Sequence, residues 1–344
     1  MTAPASPARF EPGRMNSLPR RRIASTEVSA IGLGCMNFNH AYSGFISADE
    51  TRSLIHRALE LGVTHFDTAA LYAFGVNEEW VGTALKPFRR RVFLASKCGM
   101  TGVNGKRVID GRPETLLRTC DEALQRLQTD MIDLYYLHRM DPAVPIEDSV
   151  GALSRLVQAG KIRSIGLSEV SAATLRRAHT VHPIAALQQE YSLWTRNPEI
   201  ASLAACAELG TALVAFSPLA RGFFTGAVRN LDRFSPKDVR RFMPRFAEPN
   251  LSANLRLLEP MEAIARDNHC TMAQLAIAWL LAQGPHVLPI PGTTSIAHLE
   301  EDLGAATLKL SADTLEQLNR SINPGTVSGD RYDPQTQREI DTER

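Results

Sequence analysis

Four side chains at the ends of separate apolar runs could share one chemical task. Asp67 closes the run "VTHFD" and Tyr72 follows it by five residues, Lys97 ends "VFLASK" (92–97), and His138 ends "IDLYYLH" (132–138). Taken singly, each has an ordinary structural explanation: Tyr72 as a rim aromatic, Lys97 as a surface charge, His138 as a satisfied core histidine. Taken together they suit proton transfer. A free tyrosine, with a pKa of about 10, is a reluctant acid at neutral pH. A nearby ammonium stabilises the tyrosinate and brings that value down, and a carboxylate beside the ammonium keeps it charged and aimed.

Such a task requires elements that bring the four run ends to one place. From Ser29 onward, short runs rich in β-branched residues alternate with amphipathic stretches of helical length. The predicted strands span 29–34, 63–69, 92–97, 132–138, 163–168, 185–192, 212–218 and 286–292. Helices are expected over Ala48–Leu61 behind Ser47 as N-cap, Pro113–Leu127, Ile146–Ala159, Ser171–His179 and Pro198–Leu209. Proline near the starts and Gly160 and Gly210 after the ends are the usual punctuation. Eight strands with intervening helices point to an α/β fold of the (β/α)8 TIM-barrel type, in which strand C-terminal ends converge on the active site. A doubly wound sheet is the weaker alternative, because "GLGCMN" (32–37) lacks the third glycine of a dinucleotide turn. Two pieces lie outside the repeat: an N-terminal β-hairpin in "LPRRRIASTEVSAI" that could plug the barrel floor, and a long loop after strand seven, from Arg221 to about Leu255, able to cover a site. The expected organisation is an extension without structure over 1–16, one barrel domain over 17–322 and a polar tail over 323–344.

Charge excludes several classes of partner. With 38 Lys+Arg against 37 Asp+Glu in 344 residues, the formal net charge is +1, so no overall field points to nucleic acid or a membrane surface. Arg20–Arg22 and Arg89–Arg91 read as solvated loop charge. Five cysteines, odd in number and without a C-x-x-C pair, argue against a disulfide framework or zinc site and fit a reducing cytoplasm. The start has no apolar signal core, and no stretch reaches the length of a membrane span.

Motifs in a fixed order then add a family likeness. "GLGCMNF", "HFDTAALY", "ASK", "IDLYYLHR", "GKIRSIGLSE", "ALQQEYSLW", "AFSPLARGFFTG" and "PIPGTTSIAHLEED" resemble those of the aldo-keto reductase superfamily from about Leu18 to Ile322. The chain looks most similar to bacterial and plant reductases of the pyridoxal-reductase and perakine-reductase kind. The resemblance implies reduction of an aldehyde or ketone by NADPH, with NADH tolerated. Asp67, Tyr72, Lys97 and His138 match the catalytic tetrad: Tyr72 as proton donor, Lys97 tuning it, Asp67 supporting Lys97, and His138 bonding the substrate carbonyl. The likeness also assigns Gly34, Met36, Ser168, Glu169 and Gln188 to the nicotinamide end, with Phe216 stacking on the ring. Ser217, Pro218, Leu219, Arg221 and Gly222 would follow the pyrophosphate, and Gly292, Thr294, His298, Glu301 and Asp302 the adenosine.

Three positions depart from that pattern. Glu169 stands where asparagine commonly follows the serine, His298 where many members have Arg or Gln, and Asp302 where Asn is usual, so the 2′-phosphate site looks less cationic. Phe38, Tyr42, Trp194 and Phe223, on loops above the tetrad, are the expected substrate contacts. The implied partner is a small-molecule carbonyl compound, the chain acting as a monomer or homo-oligomer. Two other functions are weighed against this one. A metal-dependent barrel hydrolase could use His65, Asp67 and His138 but has no use for Lys97. A redox-sensing regulatory subunit, resembling the potassium-channel β subunits, would bind nicotinamide cofactor without needing His138.

Overall fold

The computed structural model describes residues 18–103 and 106–343, so the N-terminal extension expected over 1–16 lies outside the described residues. A hairpin of β1 (Arg20–Ile23) and β2 (Thr26–Ser29) comes first. Eight parallel strands then follow the predicted runs: β3 (Leu33–Gly34), β4 (His65–Asp67), β5 (Phe93–Cys98), β8 (Leu134–Leu137), β9 (Ile165–Ser168), β10 (Ile184–Glu190), β11 (Ala212–Phe216) and β12 (Val287–Pro289), each hydrogen-bonded to the next in that order. Backbone bonds from Gly32 N to Pro289 O and from Gly34 N to Pro291 O, both 3.0 Å, join the first strand to the last and close the barrel. At that seam the chains approach so closely that a Cβ on Gly292 would lie 2.9 Å from Gly34 O and 2.7 Å from Asn37 Oδ1.

The helical layer is α1 (Ala48–Glu60), α2 (Val76–Leu85), α3 (Pro113–Leu127), α4 (Ile146–Gln158), α5 (Ala172–Val181), α6 (Ser202–Leu209), α7 (Asn250–Leu255), α8 (Leu258–Asp267), α9 (Met272–Ala282), α10 (Ile296–Gly304), α11 (Ala312–Ser321) and a last turn, α12 (Pro334–Gln337). Ser47 caps α1 in a reciprocal capping box with Glu50, and Ser171 caps α5. A second hairpin, β6 (Met100–Val103) with β7 (Lys106–Ile109), follows β5 and has no counterpart in the sequence reading.

Two apolar layers result. Inside the barrel, Phe93, Leu134, Tyr136, Val214 and Leu288 pack with Ile23 and Val28 of the N-terminal hairpin, which therefore plugs the floor as expected. Between barrel and helices lies the larger core. The two arginine runs are not merely solvated charge. Arg21 is drawn inward by the carbonyls of Leu281, Gly284 and Val287, and burial lowers its guanidinium to about 10. Arg89 donates to Met131 O at 2.6 Å and pairs with Asp133 at 2.7 Å. In each case backbone carbonyls find a long cationic donor.

The polar tail is tied down along its length. Asp341 accepts from Ser171 Oγ and Thr174 Oγ1 at the start of α5, and Glu343 accepts from Ala172 N and Ser202 Oγ at the starts of α5 and α6. Carboxylates at helix N-termini meet unpaired N–H groups there.

Candidate active site

The register of the barrel brings the four candidate residues together. Asp67 is the last residue of β4 and lies opposite Ala95, two residues before Lys97 on β5; Lys97 in turn lies opposite Tyr136, two before His138. Residues two apart on a strand share a face. Tyr72 reaches the same point through a tight turn in which Ala73, Phe74 and Gly75 all have left-handed φ, of 45°, 53° and 97°. Such a run costs free energy at its two non-glycine positions and persists because neighbours hold it. Phe74 N bonds Leu71 O, and Ala73 N donates to His40 Nδ1 at 3.2 Å.

Lys97 is the hub. Fully buried, its ammonium pairs with Asp67 and donates to Thr68 O at 2.9 Å and to the Tyr72 hydroxyl at 3.1 Å. Gln188 donates to the other Asp67 oxygen at 2.8 Å, so the residue expected at the cofactor carboxamide also anchors the tetrad. Burial alone would lower the Lys97 ammonium, but Asp67 and Tyr72 outweigh it and hold it above the ordinary lysine value. For Tyr72, burial outweighs Lys97: the hydroxyl is raised overall, with the ammonium pulling it back down. The expected lowering of Tyr72 below its ordinary value is therefore corrected; Lys97 limits a rise. His138 is pushed well below the ordinary histidine value by burial first and then by Arg139 and Lys97, which favours the neutral imidazole, and its Nδ1 has no partner among the described residues. Its ring meets that of Tyr72 edge to face at 6.0 Å.

Tyr72 and His138 open onto a cleft of about 640 Å³ that runs past Phe216 and the 217–222 loop to Gly292 and α10. Its wall includes Gly34, Met36, Ser168, Gln188, Phe216, Ser217, Pro218, Leu219, Arg221 and Gly222, then Gly292, Thr294, His298, Glu301 and Asp302. The loop from Ser217 turns sharply, with left-handed φ at Ser217, Ala220, Arg221 and Gly222. His298 is exposed in the first turn of α10, where Ser295 is the N-cap. Asp302 is buried, and burial, then Glu301, moves its carboxyl well above the ordinary range and toward the neutral form. It therefore resembles the asparagine it replaces more than a fixed negative charge.

Glu169 is corrected. It does not line the cleft but points behind it, fully buried, pairing with Arg331 of the tail at 2.7 Å and accepting from Glu190 N at 3.0 Å. Arg331 also bonds Glu190 at 2.9 Å, as Arg221 does at 2.8 Å, while Arg221 donates to Tyr332 OH at 3.0 Å. Three of the four expected substrate aromatics are corrected as well. Phe38 is buried in the core, and Trp194 stacks on Phe223 at 4.7 Å beneath the mouth; Tyr42 alone of the four lines the cleft. Large rings gain more from burial against one another than from standing in a wet groove.

The cleft also contains residues that the sequence reading passed over: His40, stacked on Tyr72 at 5.5 Å, together with Met100, Arg107, Arg139 and Tyr332. Arg139 was visible as the last letter of "LHR"; nothing in the tail marked Tyr332. Among the described residues no group of three or more His, Cys, Asp or Glu could hold a metal ion. No helix among them is long and apolar enough to cross a membrane.

Comparison with known proteins agrees with this geometry. The model of the aldo/keto reductase family matches residues 30–323. The chain is 43% identical over 325 residues to the aldo-keto reductase yakc [NADP(+)] of Schizosaccharomyces pombe, covering 92% of this chain and 95% of that one. It is 44% identical over 310 residues to the probable aldo-keto reductase 1 of Glycine max, covering 89% of each. Among solved structures, the glycerol dehydrogenase AKR11B4 from Gluconobacter oxydans superposes with a TM-score of 0.81 at 28% identity over 92% of this chain and 98% of that one. An aldo/keto reductase from Klebsiella pneumoniae, solved with NADP and acetate, gives a TM-score of 0.68 at 28% identity over 90% and 97%.

Proposed function

The chain belongs to the aldo/keto reductase family, and from that premise we propose that it reduces an aldehyde or ketone to an alcohol, taking hydride from NADPH held in the cleft while Tyr72 supplies the proton. The observation that carries this reading is the bond from Lys97 to the Tyr72 hydroxyl, made by an ammonium already committed to Asp67. It gives a phenol the one neighbour that makes it a usable acid.

The residues present fit the cofactor. A single groove joins the tetrad to the start of α10, passing an aromatic face at Phe216, the sharply turned 217–222 loop and the Thr293 and Thr294 hydroxyls. Helix N-termini and turned backbone favour phosphate groups. NADPH would supply the hydride. Ser168 and Gln188 would orient the nicotinamide, with Phe216 against its ring. Neutral His138 would donate a hydrogen bond to the substrate oxygen, and Tyr72 would release its proton as charge develops there, with Lys97 stabilising the phenolate left behind. His298, a weaker cation than arginine, would make the preference for NADPH over NADH modest. A complete tetrad favours turnover over a purely regulatory role.

Within the family we propose that the chain stands with reductases of the pyridoxal-reductase and perakine-reductase kind, by the overall likeness of its motifs. The test is NADPH oxidation by the purified protein against aldehydes, quinones and cyclic ketones, repeated with NADH. Oxidation with some of these and a modest advantage for NADPH is expected; none with any carbonyl compound would sink the proposal.

A further inference from the structure

Beside His138 the cleft wall carries a guanidinium that no carboxylate among the described residues pairs with. Arg139 follows His138 at the end of β8, and its Nη1 donates to the His138 carbonyl at 2.6 Å and to Ser168 Oγ at 3.2 Å. These two bonds hold the head at the rim between β8 and β9, where it lines the cleft, and both acceptors are uncharged. The other arginines on this wall are matched: Arg221 by Glu190, Arg240 by Asp238 and Arg107 by Glu339.

The acids of the cleft are committed elsewhere. Asp67 serves Lys97 and Gln188. Asp333 spends both oxygens on its own turn, accepting from Gln335 N, Thr336 N and Thr336 Oγ1. Glu301 and Asp302 lie on α10, at the far end of the groove. The positive field at the reacting end is therefore uncompensated: Arg139 disfavours protonation of His138 and stabilises the Tyr72 phenolate. A guanidinium in a partly desolvated groove, bonded on one side to neutral oxygens, rewards a planar anion that can take two parallel N–H bonds.

We propose that the carbonyl substrate carries a carboxylate, which Arg139 binds while the carbonyl lies between Tyr72 and His138. The inference rests on the reductase reading above and narrows its substrate class to oxo-acids and aldehydes with a carboxylate near the reacting carbon. Arg107, across the cleft on β7, adds longer-range attraction that Glu339 partly offsets. A guanidinium whose only task was to hold Ser168 would not distinguish anionic from neutral substrates.

The experiment compares 2-, 3- and 4-formylbenzoate with the three corresponding formylbenzamides, neutral isosteres of the same shape, in wild type, Arg139→Gln and Arg139→Lys. The readout is the acid-to-amide ratio of kcat/KM within each protein, so any general loss in a variant cancels. For the best-placed ring position the wild-type ratio should be about 10 to 100, the range of one charge-assisted hydrogen bond. It should shrink with added salt, fall to about 1 in Arg139→Gln, and be partly retained in Arg139→Lys. Turnover of the amides with no preference for the acids, or a preference untouched by Arg139→Gln, overturns this inference and leaves the reductase reading standing. Absence of turnover on all six aldehydes, with no other carbonyl reduced, overturns both.

Discussion

Two buried charge clusters lie at the mouth of this barrel, and they do opposite things with similar ingredients. The first joins Asp67, Lys97 and Tyr72; the second joins Glu169, Glu190, Arg221 and Arg331. In the first, one carboxylate and one ammonium cancel, and the remaining bond of the ammonium goes to a hydroxyl that faces the cleft. In the second, two carboxylates meet two guanidiniums and what is left over goes to Tyr332 and Thr195. The first cluster delivers a tunable proton to a surface. The second fastens the tail to β9, β10 and the loop after β11, and reaches the cleft wall through Arg221 and Tyr332 without a bond to Tyr72. Buried charge thus becomes chemistry where the network ends on the group that gives the proton, and becomes attachment where its bonds are spent on joining segments of the chain.

The sharpest way to break this contrast is Tyr72→Phe. It removes the one titratable group that the first cluster exposes, and loss of a positioned general acid should lower carbonyl reduction by about 10² to 10⁴-fold. Cofactor affinity, measured by fluorescence quenching, should hardly change, and nor should thermal stability. A variant with near wild-type turnover would remove Tyr72 from the mechanism. The converse substitution is Arg331→Met. Taking one partner from a buried ion network should cost about 3–5 kcal/mol in urea unfolding. The pH–rate profile of the folded fraction should keep its shape, and a changed profile would mean that the second cluster acts on the proton as well.

The first cluster was legible in the sequence and the second was not, for a physical reason. Asp67, Lys97 and His138 each end an apolar strand, and strand period with barrel topology puts such ends in one place, so local pattern was enough. Barrel, plugging hairpin and the limits of α1, α3, α4 and α5 followed from the same periodicity and from caps such as Ser47 and Ser171, whereas α2 and the helices from α7 onward had no prediction. Glu169 was read through its neighbour Ser168 as a cofactor contact. Its left-handed φ of 57° and its partner Arg331, 162 residues along the chain, turn it away from the cleft. A contact made across that separation by a tail without periodicity leaves no local trace. Trp194 and Phe223 misled for a related reason: loop position predicts exposure, but their stacking beneath the mouth depends on two loops meeting.

A smaller effect separates the clusters by acid. Burial on its own would raise the Glu190 carboxyl, but Arg221, Arg331 and Arg245 hold it down at about 2 against an ordinary 4.5. A carboxyl depressed in the folded state lends stability that is complete above its unfolded value and is lost as pH falls through the folded one. Its contribution, on the order of 3 kcal/mol, should therefore disappear between about pH 4.5 and pH 2. In Glu190→Gln the protein should be less stable at neutral pH and its stability should vary less steeply across that acid window. An unchanged slope in pH-dependent urea unfolding would show that the guanidiniums are already balanced without Glu190.

The last test turns on Lys97, where the two clusters are most alike. Were Lys97 only a counter-ion for Asp67, as Arg331 is for Glu169, replacing it would cost stability and leave the acid unchanged. Its bond to Tyr72 says otherwise. Burial raises the Tyr72 hydroxyl, Lys97 is the leading influence that pulls it down, and Asp67 pushes it up. Lys97→Met removes the restraint and leaves the push, so the hydroxyl should rise further. A donor must be protonated to act, so the alkaline fall in kcat/KM should move to higher pH. A weaker acid also gives up its proton less readily, so the neutral plateau should drop at the same time. Loss of rate together with an upward-shifted alkaline limb marks electrostatic tuning, whereas a lower plateau with an unmoved limb would make Lys97 an attachment point like Arg331.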